Sequence, residues 1–162
     1  IIYSRLPFAN KAGVRPVAKN HRPAALAQIN IDGQAVTLLA AHPRSPRRIG
    51  RMEQRNEQIW MLEEVISSYS GPRMVVGDLN TTPWSPIFRD FVARSGLRNG
   101  REGFGLQASW PAPLGAWGIP IDHVLISPEI AIRQLKHGPD VGSDHYPIIV
   151  DFSVAPITDL SN

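Results

Sequence analysis

The sequence predicts a mixed α/β fold in which helices lie outside one mixed sheet or a pair of sheets, and three observations carry that expectation. Strand patterns outnumber helical ones, an Asp32-Gly33 pair joins two apolar runs as a hairpin, and two helical stretches are too few to cross over between all the strands of a parallel sheet. A chain of 162 residues is sized for one domain with its own core, taken as 1–155 with a tail at 156–162.

The elements follow in order. Pro7, Gly13, Pro16 and Pro23 interrupt the first 25 residues, which read as a loop-rich entry containing Asn20-His21-Arg22-Pro23. Leu26 to Ile31 and Gln34 to Ala41 are the hairpin strands, since Gly33 accepts a positive φ without steric cost. Between Ile49 and Tyr69 the residues Ile49, Met52, Ile59, Leu62, Ile66 and Tyr69 keep three- and four-residue steps, broken only at Asn56, and predict a long amphipathic helix ended by Gly71-Pro72. Arg73 to Gly77 is short, β-branched and nearly all apolar, the pattern of a strand buried on both faces. Ser85 as cap and Pro86 in the first turn open a second helix that Gly96 closes. Further strands are expected at Gln107 to Trp110, Ile121 to Ser127, Ala131 to Lys136 and Pro147 to Val154, with loops at Arg98 to Gly105 and Pro111 to Gly118 and a frayed tail after Pro156.

Composition excludes several classes. With 43% hydrophobic and 19% charged residues the chain is globular rather than disordered, and the absence of cysteine removes both a disulfide scaffold and a thiolate zinc site. No apolar run approaches the ~20 residues of a membrane span. The start Ile1-Ile2-Tyr3-Ser4-Arg5 is neither a signal-peptide n-region nor a Met start, so the chain is expected to begin inside a longer protein. Nothing chooses between the cytoplasm and a bacterial cell envelope. A net charge of +3 does not hold a polyanion by itself. Arg44, Arg47, Arg48 and Arg51, clustered after His42, read either as a solvated helix start or as a phosphate-facing rim, with Arg44 the candidate phosphate contact.

Four polar clusters stand at element ends: His42-Pro43, Asp78-Leu79-Asn80, Ile121-Asp122-His123 and Ser143-Asp144-His145. Each alone also matches a helix cap or a strand-end histidine with ordinary hydrogen bonds. Asp78 and Asn80 flank one apolar residue after a strand, so period-two geometry aims both to one side, a carboxylate to place a water and an amide to hold a phosphate oxygen. Asp122 and His123 are adjacent in a strand and face opposite ways, so only one serves a site. Ser143-Asp144-His145 lies in a turn where neighbours converge; its carboxylate suits a hard cation, and its imidazole, held by Asp122, suits proton transfer.

The order His42-Pro43, Val75-Val76-Gly77-Asp78-Leu79-Asn80-Thr81-Thr82-Pro83, Pro120-Ile121-Asp122-His123-Val124-Leu125 and Gly142-Ser143-Asp144-His145-Tyr146-Pro147 resembles the endonuclease/exonuclease/phosphatase superfamily, from Ser4 to Phe152. The Ser109-Trp110-Pro111 segment is similar to its bacterial YafD-like branch. The resemblance implies a four-layered DNase I-like α/β sandwich, two mixed sheets between outer helices, here incomplete at its N-terminus. It implies roles as well: Asp78 positions or deprotonates the attacking water, Asn80 contacts phosphate, His145 contacts the scissile phosphate, Asp122 orients His145, His42 assists the leaving group and Asp144 binds metal. His123 is left structural. The activity implied is Mg²⁺- or Mn²⁺-dependent in-line hydrolysis of a phosphate ester, whether nucleic acid, phospholipid head group or inositol phosphate. The alternative is a non-catalytic domain of the same fold that binds a phosphorylated partner.

The superfamily's upstream strands, which carry an Asn and the principal metal-binding Glu, have no counterpart here. Asp144 with waters is therefore expected to hold a divalent cation weakly, and uncovered apolar sheet edges are expected to favour self-association.

Overall fold

A computed structural model describes residues 1–15 and 22–156. The loop expected at Asn20 and His21 and the tail from 157 onward lie outside them. The elements are β1 (Phe8–Arg15), β2 (Ala24–Ile31), β3 (Gln34–Ala40), α1 (Arg51–Ser67), β4 (Arg73–Asp78), α2 (Pro86–Ser95), β5 (Arg98–Asn99), a 3₁₀ segment Ala112–Trp117, β6 (Asp122–Ile126), β7 (Ile130–His137) and β8 (Ile148–Val154).

β2 and β3 form the expected hairpin, with Asp32 at φ 51° and Gly33 at φ 84°, both positive as a type I′ turn requires. Six strands make one sheet in the order β1-β2-β3-β4-β6-β5, and β7-β8 make a second, antiparallel sheet of two. Only β3 and β4 run parallel, and α1 is the crossover that joins them. The large sheet is thus mixed, as the shortage of helices requires.

Alternation along the central strands divides the core. Val75 and Leu125 face α1 and α2 and pack with Leu39, Ile59, Leu62, Ile66, Phe88 and Phe91. Met74, Val124 and Ile126 face the other way, against Ile130 and Leu135 of the second sheet. Helices therefore cover one face of the large sheet and the β7-β8 pair covers part of the other. Beside that pair an apolar groove of about 900 Å³, lined by Leu6, Ile31, Leu38 and Phe152 among others, runs up to Asp122 and His145.

α2 starts and stops where the sequence places it, with Ser85 extended, Pro86 in the first turn and Gly96 left-handed at the C-cap. Four local expectations are corrected. The loop-rich entry contains β1, an edge strand that pairs along β2 with two register shifts; backbone pairing needs no apolar alternation, so the pattern was silent. Gln107 to Trp110 is not a strand, because Gln107 turns to φ 47° and only Trp110 bridges, to Ile119. Within the loop from Arg98, β5 adds a two-residue rung to β6. The stripe of α1 changes character as well: Ile49 lies before the helix and is fully exposed, whereas Arg55 and Gln58 are buried.

Candidate active site

Sheet topology assembles the site at one end of the large sheet. The parallel β3-β4 pair brings the chain after Ala40 and the end of β4 together, with Ala41 N–H donating to the Val76 carbonyl at 2.9 Å, so His42 stands beside Asp78. Antiparallel β4-β6 pairing sets Asp78 opposite Asp122. The turn before β8 then delivers Asp144 and His145. Clefts at the carboxyl ends of parallel strands are the usual ligand sites of such sheets.

The side chains form a line. His145 Nδ1–H donates to Asp122 Oδ2 at 2.8 Å, and His145 Nε2 lies 4.0 Å from Asp78 Oδ2. His42 Nε2 is 3.3 Å from the same Oδ2. Arg22 Nη1 contacts both ring nitrogens of His42, at 3.0 Å from Nδ1 and 2.9 Å from Nε2. The His42 pKa is lowered, first by burial and then by the Arg22 charge. Burial pushes the Asp78 carboxyl up to about 6; Asp122 adds to the rise, while the Asn80 N–H, His145 and Arg22 oppose it. A carboxylate that titrates near neutrality in a cleft is a candidate for proton chemistry.

Asn80 reaches Asp78 by a route that strand geometry did not foresee. Its φ is 50°, so the chain has already left the strand, and the pair meets through an Asx-type turn in which Asn80 N–H donates to Asp78 Oδ1 at 2.7 Å. Its side-chain Nδ2 donates to Asp78 Oδ2 at 3.2 Å and to the Pro43 carbonyl at 3.0 Å. Asn80 thus braces Asp78 and ties it to the Pro43 carbonyl. His123 behaves as alternation requires: it is buried against Phe88, donates from Nε2 to the Thr81 carbonyl at 2.8 Å, and burial pushes its pKa down to about 4.

Four further residues, none of which the sequence marked as part of the site, hold this line in place. Arg55 Nη1 donates to the Asn80 carbonyl at 2.5 Å, and Gln58 accepts from the Arg44 N–H at 2.9 Å while donating to the Arg22 carbonyl. Arg101 donates to the carbonyls of Leu106, Gln107 and Asp122. Ser109 Oγ accepts from the N–H groups of Ile121 and Asp122, and its carbonyl accepts from Tyr146 N–H, tying Asp122 to the residue after His145. For α1 a signal existed: Arg55 and Gln58 continue the stripe of Ile59, Leu62 and Ile66, and polar residues on a buried stripe have a partner to find. Ser109→Ala takes the side-chain acceptor from one buried and one part-buried N–H, so it is expected to destabilise the fold by about 1–3 kcal/mol, measured by urea denaturation.

Above the line opens a cleft of about 690 Å³ walled by Arg22, Arg47, Arg48, Arg51, Trp110 and Asp144. Arg44, the expected phosphate contact, does not line it; its backbone is tied to Gln58 instead. Arg22, which had read as loop, does line it. Asp144 is exposed, and one of its oxygens accepts from Trp110 Nε1 at 3.3 Å. Among the described residues no three His, Asp or Glu side chains converge as ligands for an ion. A hard cation wants six or more oxygens, so the donor set present does not fit Mg²⁺ or Mn²⁺.

Comparison with known proteins agrees with this architecture. A family model described as the Endonuclease/Exonuclease/phosphatase family matches residues 1–145. Among solved structures, the endonuclease/exonuclease/phosphatase from Beutenbergia cavernae is 21% identical with a TM-score of 0.78, covering 94% of this chain and 46% of that one. Humanized Danio rerio TDP2 is 19% identical, TM-score 0.72, with 93% of this chain and 68% of that chain covered. The human nocturnin catalytic domain with bound sulfate is 17% identical, TM-score 0.70, with 93% and 61% covered. The chain thus spans between about half and two thirds of the length of these proteins. No curated protein sequence matches it. At such identities the likeness establishes the fold, which is DNase I-like.

Proposed function

Because the chain belongs to the endonuclease/exonuclease/phosphatase family, we propose that it is a phosphoric ester hydrolase whose attacking water is held between Asp78 and His145. The observation that carries this reading is the 4.0 Å gap between Asp78 Oδ2 and His145 Nε2. A single water at ordinary hydrogen-bond distance, about 2.8 Å, touches both atoms. With its Nδ1–H hydrogen-bonded to Asp122, a neutral His145 offers a lone pair at Nε2 and takes one water proton, while Asp78 accepts a hydrogen bond from the other and aims the oxygen. Asp122 stabilises the imidazolium that results, as the buried carboxylate does in an Asp-His-nucleophile arrangement.

His42 works through Asp78 in this reading. The resemblance assigns it to the leaving group, but its Nε2 stands 3.3 Å from Asp78 Oδ2, the oxygen that also accepts from the Asn80 amide, so the two groups flank that carboxylate. The arginine wall attracts and orients the anionic ester. Asp144 is a single exposed carboxylate, too few donors to hold Mg²⁺ or Mn²⁺ firmly, so the side chains named here act without one.

The test is hydrolysis of bis-p-nitrophenyl phosphate by the full chain, with Mg²⁺, with Mn²⁺ and with EDTA. Turnover that falls at least about 100-fold in both His145→Ala and Asp122→Asn is the expected result, since an oriented general base contributes on the order of 10²–10⁴. Half-saturation by metal only in the millimolar range fits the incomplete donor set. Saturable phosphate-ligand binding without turnover under any of these conditions overturns the hydrolase in favour of a binding domain.

A further inference from the structure

We propose, resting on the hydrolase reading, that Arg47, Arg48 and Arg51 form a second anion subsite beside the scissile position, so that the substrate is a linear chain of phosphates in place of a lone phosphomonoester. The three line the same cleft as Asp78 and His145, on the segment that leads into α1. None of the three makes an ion pair among the described residues, and the two carboxylates on the cleft lining are already engaged, Asp78 by Asn80 and Asp144 by Trp110. The chain carries a net charge of only +3, so the concentration of unpaired guanidinium groups on this wall is a local feature.

Geometry links the wall to the chemistry. The Arg47 guanidinium lies 4.7 Å from the centre of the Trp110 ring, and that ring packs at 6.3 Å against His145. Stacking on an indole fixes the plane of a guanidinium while leaving its N–H edge to meet oxygens, the arrangement that suits bidentate contact with phosphate. Arg47 is thereby held one ring away from the imidazole that faces the water. A phosphate attacked at Asp78 and His145 places its neighbour in the same chain toward this wall. Three guanidinium groups exceed the charge that one phosphate presents, and a second phosphate uses the remainder.

Two chemistries supply such a chain, a single-stranded nucleic acid and an inorganic polyphosphate. The experiment uses full-length chain carrying Asp78→Asn, labelled oligothymidylates of two to ten nucleotides, and fluorescence anisotropy at several KCl concentrations, with polyphosphate as competitor. Affinity is expected to rise with length. In the triple variant Arg47→Gln, Arg48→Gln, Arg51→Gln, the slope of log K against log salt should lose about 2, at about 0.7 per phosphate contact on a single strand. Polyphosphate that displaces the oligonucleotide supports recognition of the phosphate chain itself; oligonucleotide binding that polyphosphate does not disturb supports a nucleic-acid site. Unchanged slope in the triple variant, equal affinity for two and ten nucleotides, or binding to anionic vesicles alone overturns the subsite. Failure of the hydrolase reading shows separately, as absence of bis-p-nitrophenyl phosphate turnover in the unsubstituted chain.

Discussion

Asp78→Asn is expected to lower turnover by about a thousandfold or more and, at pH 8, to leave the fold no less stable than the unsubstituted chain. The two effects have one cause. Asp78 is the carboxylate that receives the water in the proposed mechanism, and it is nine-tenths buried in a place that disfavours its charge, with a pKa of about 6 against an ordinary 3.8. A folded-state pKa above the unfolded one means that the folded protein binds the proton more tightly between about pH 4 and pH 6. Stability therefore falls as pH rises through that window and stays flat above it, by roughly 3 kcal/mol in all. Asparagine removes the cost of the charge and keeps an oxygen for the Asn80 N–H, although the contact from Asn80 Nδ2 is lost. Urea denaturation at pH 4, 6 and 8 reads the result: the variant should gain on the unsubstituted chain from pH 4 to pH 6 and hold the gain at pH 8. Activity of the unsubstituted chain should climb with pH through about 6 as Asp78 ionises. A stability difference that shrinks as pH rises contradicts the burial of the charge.

The second large effect belongs to Gly77. Its φ is 132°, and a Cβ at this position falls onto the carbonyl oxygen of Ala41, across the parallel β3-β4 pair and one residue before both His42 and Asp78. Neither backbone has room to move without breaking the hydrogen bond from Ala41 N–H to the Val76 carbonyl. Gly77→Ala is expected to cost more than about 4 kcal/mol, in the range of severe backbone and packing defects, and to abolish activity in whatever fraction folds. Gly33→Ala is the control. Gly33 also has a positive φ, 84°, but nothing lies within 4 Å of its Cβ position, so only the conformational cost of about 1–2 kcal/mol remains. Thermal unfolding followed by circular dichroism separates the two; similar losses at both positions refute the argument from close approach.

Particular residues show how much of this was legible in advance. The turn at Asp32-Gly33, the start of α2 at Ser85-Pro86 and its stop at Gly96 were read correctly because each is decided by the φ preferences of two or three neighbours. His123 was set apart from Asp122 by alternation alone, and it lies buried under α2. The edge strand β1 was missed because its backbone, and no apolar pattern, makes the pairing. Gln107 to Trp110 looked extended until Arg101 gathered the carbonyls of Leu106 and Gln107 from a few residues away. Asn80 was brought to Asp78 by a turn in place of a strand, because its backbone leaves the extended region one residue after Leu79.

By itself the sequence determined the mixed α/β class, the hairpin, the two helices and the polar clusters at element ends, since turn preference, capping and periodicity act over a few residues and leave their mark there. Only the tertiary structure decided that His145 pairs with Asp122, that Arg22 contacts the His42 ring, that Arg55 and Ser109 brace the line, and that Arg47, Arg48 and Arg51 wall the cleft while Arg44 does not. The hydrogen bonds that do this join residues between 12 and 37 positions apart. Such contacts exist only after strands from distant parts of the chain have paired, and the register of that pairing is set by burial of both faces of the large sheet, a property of the whole chain and of no short segment within it.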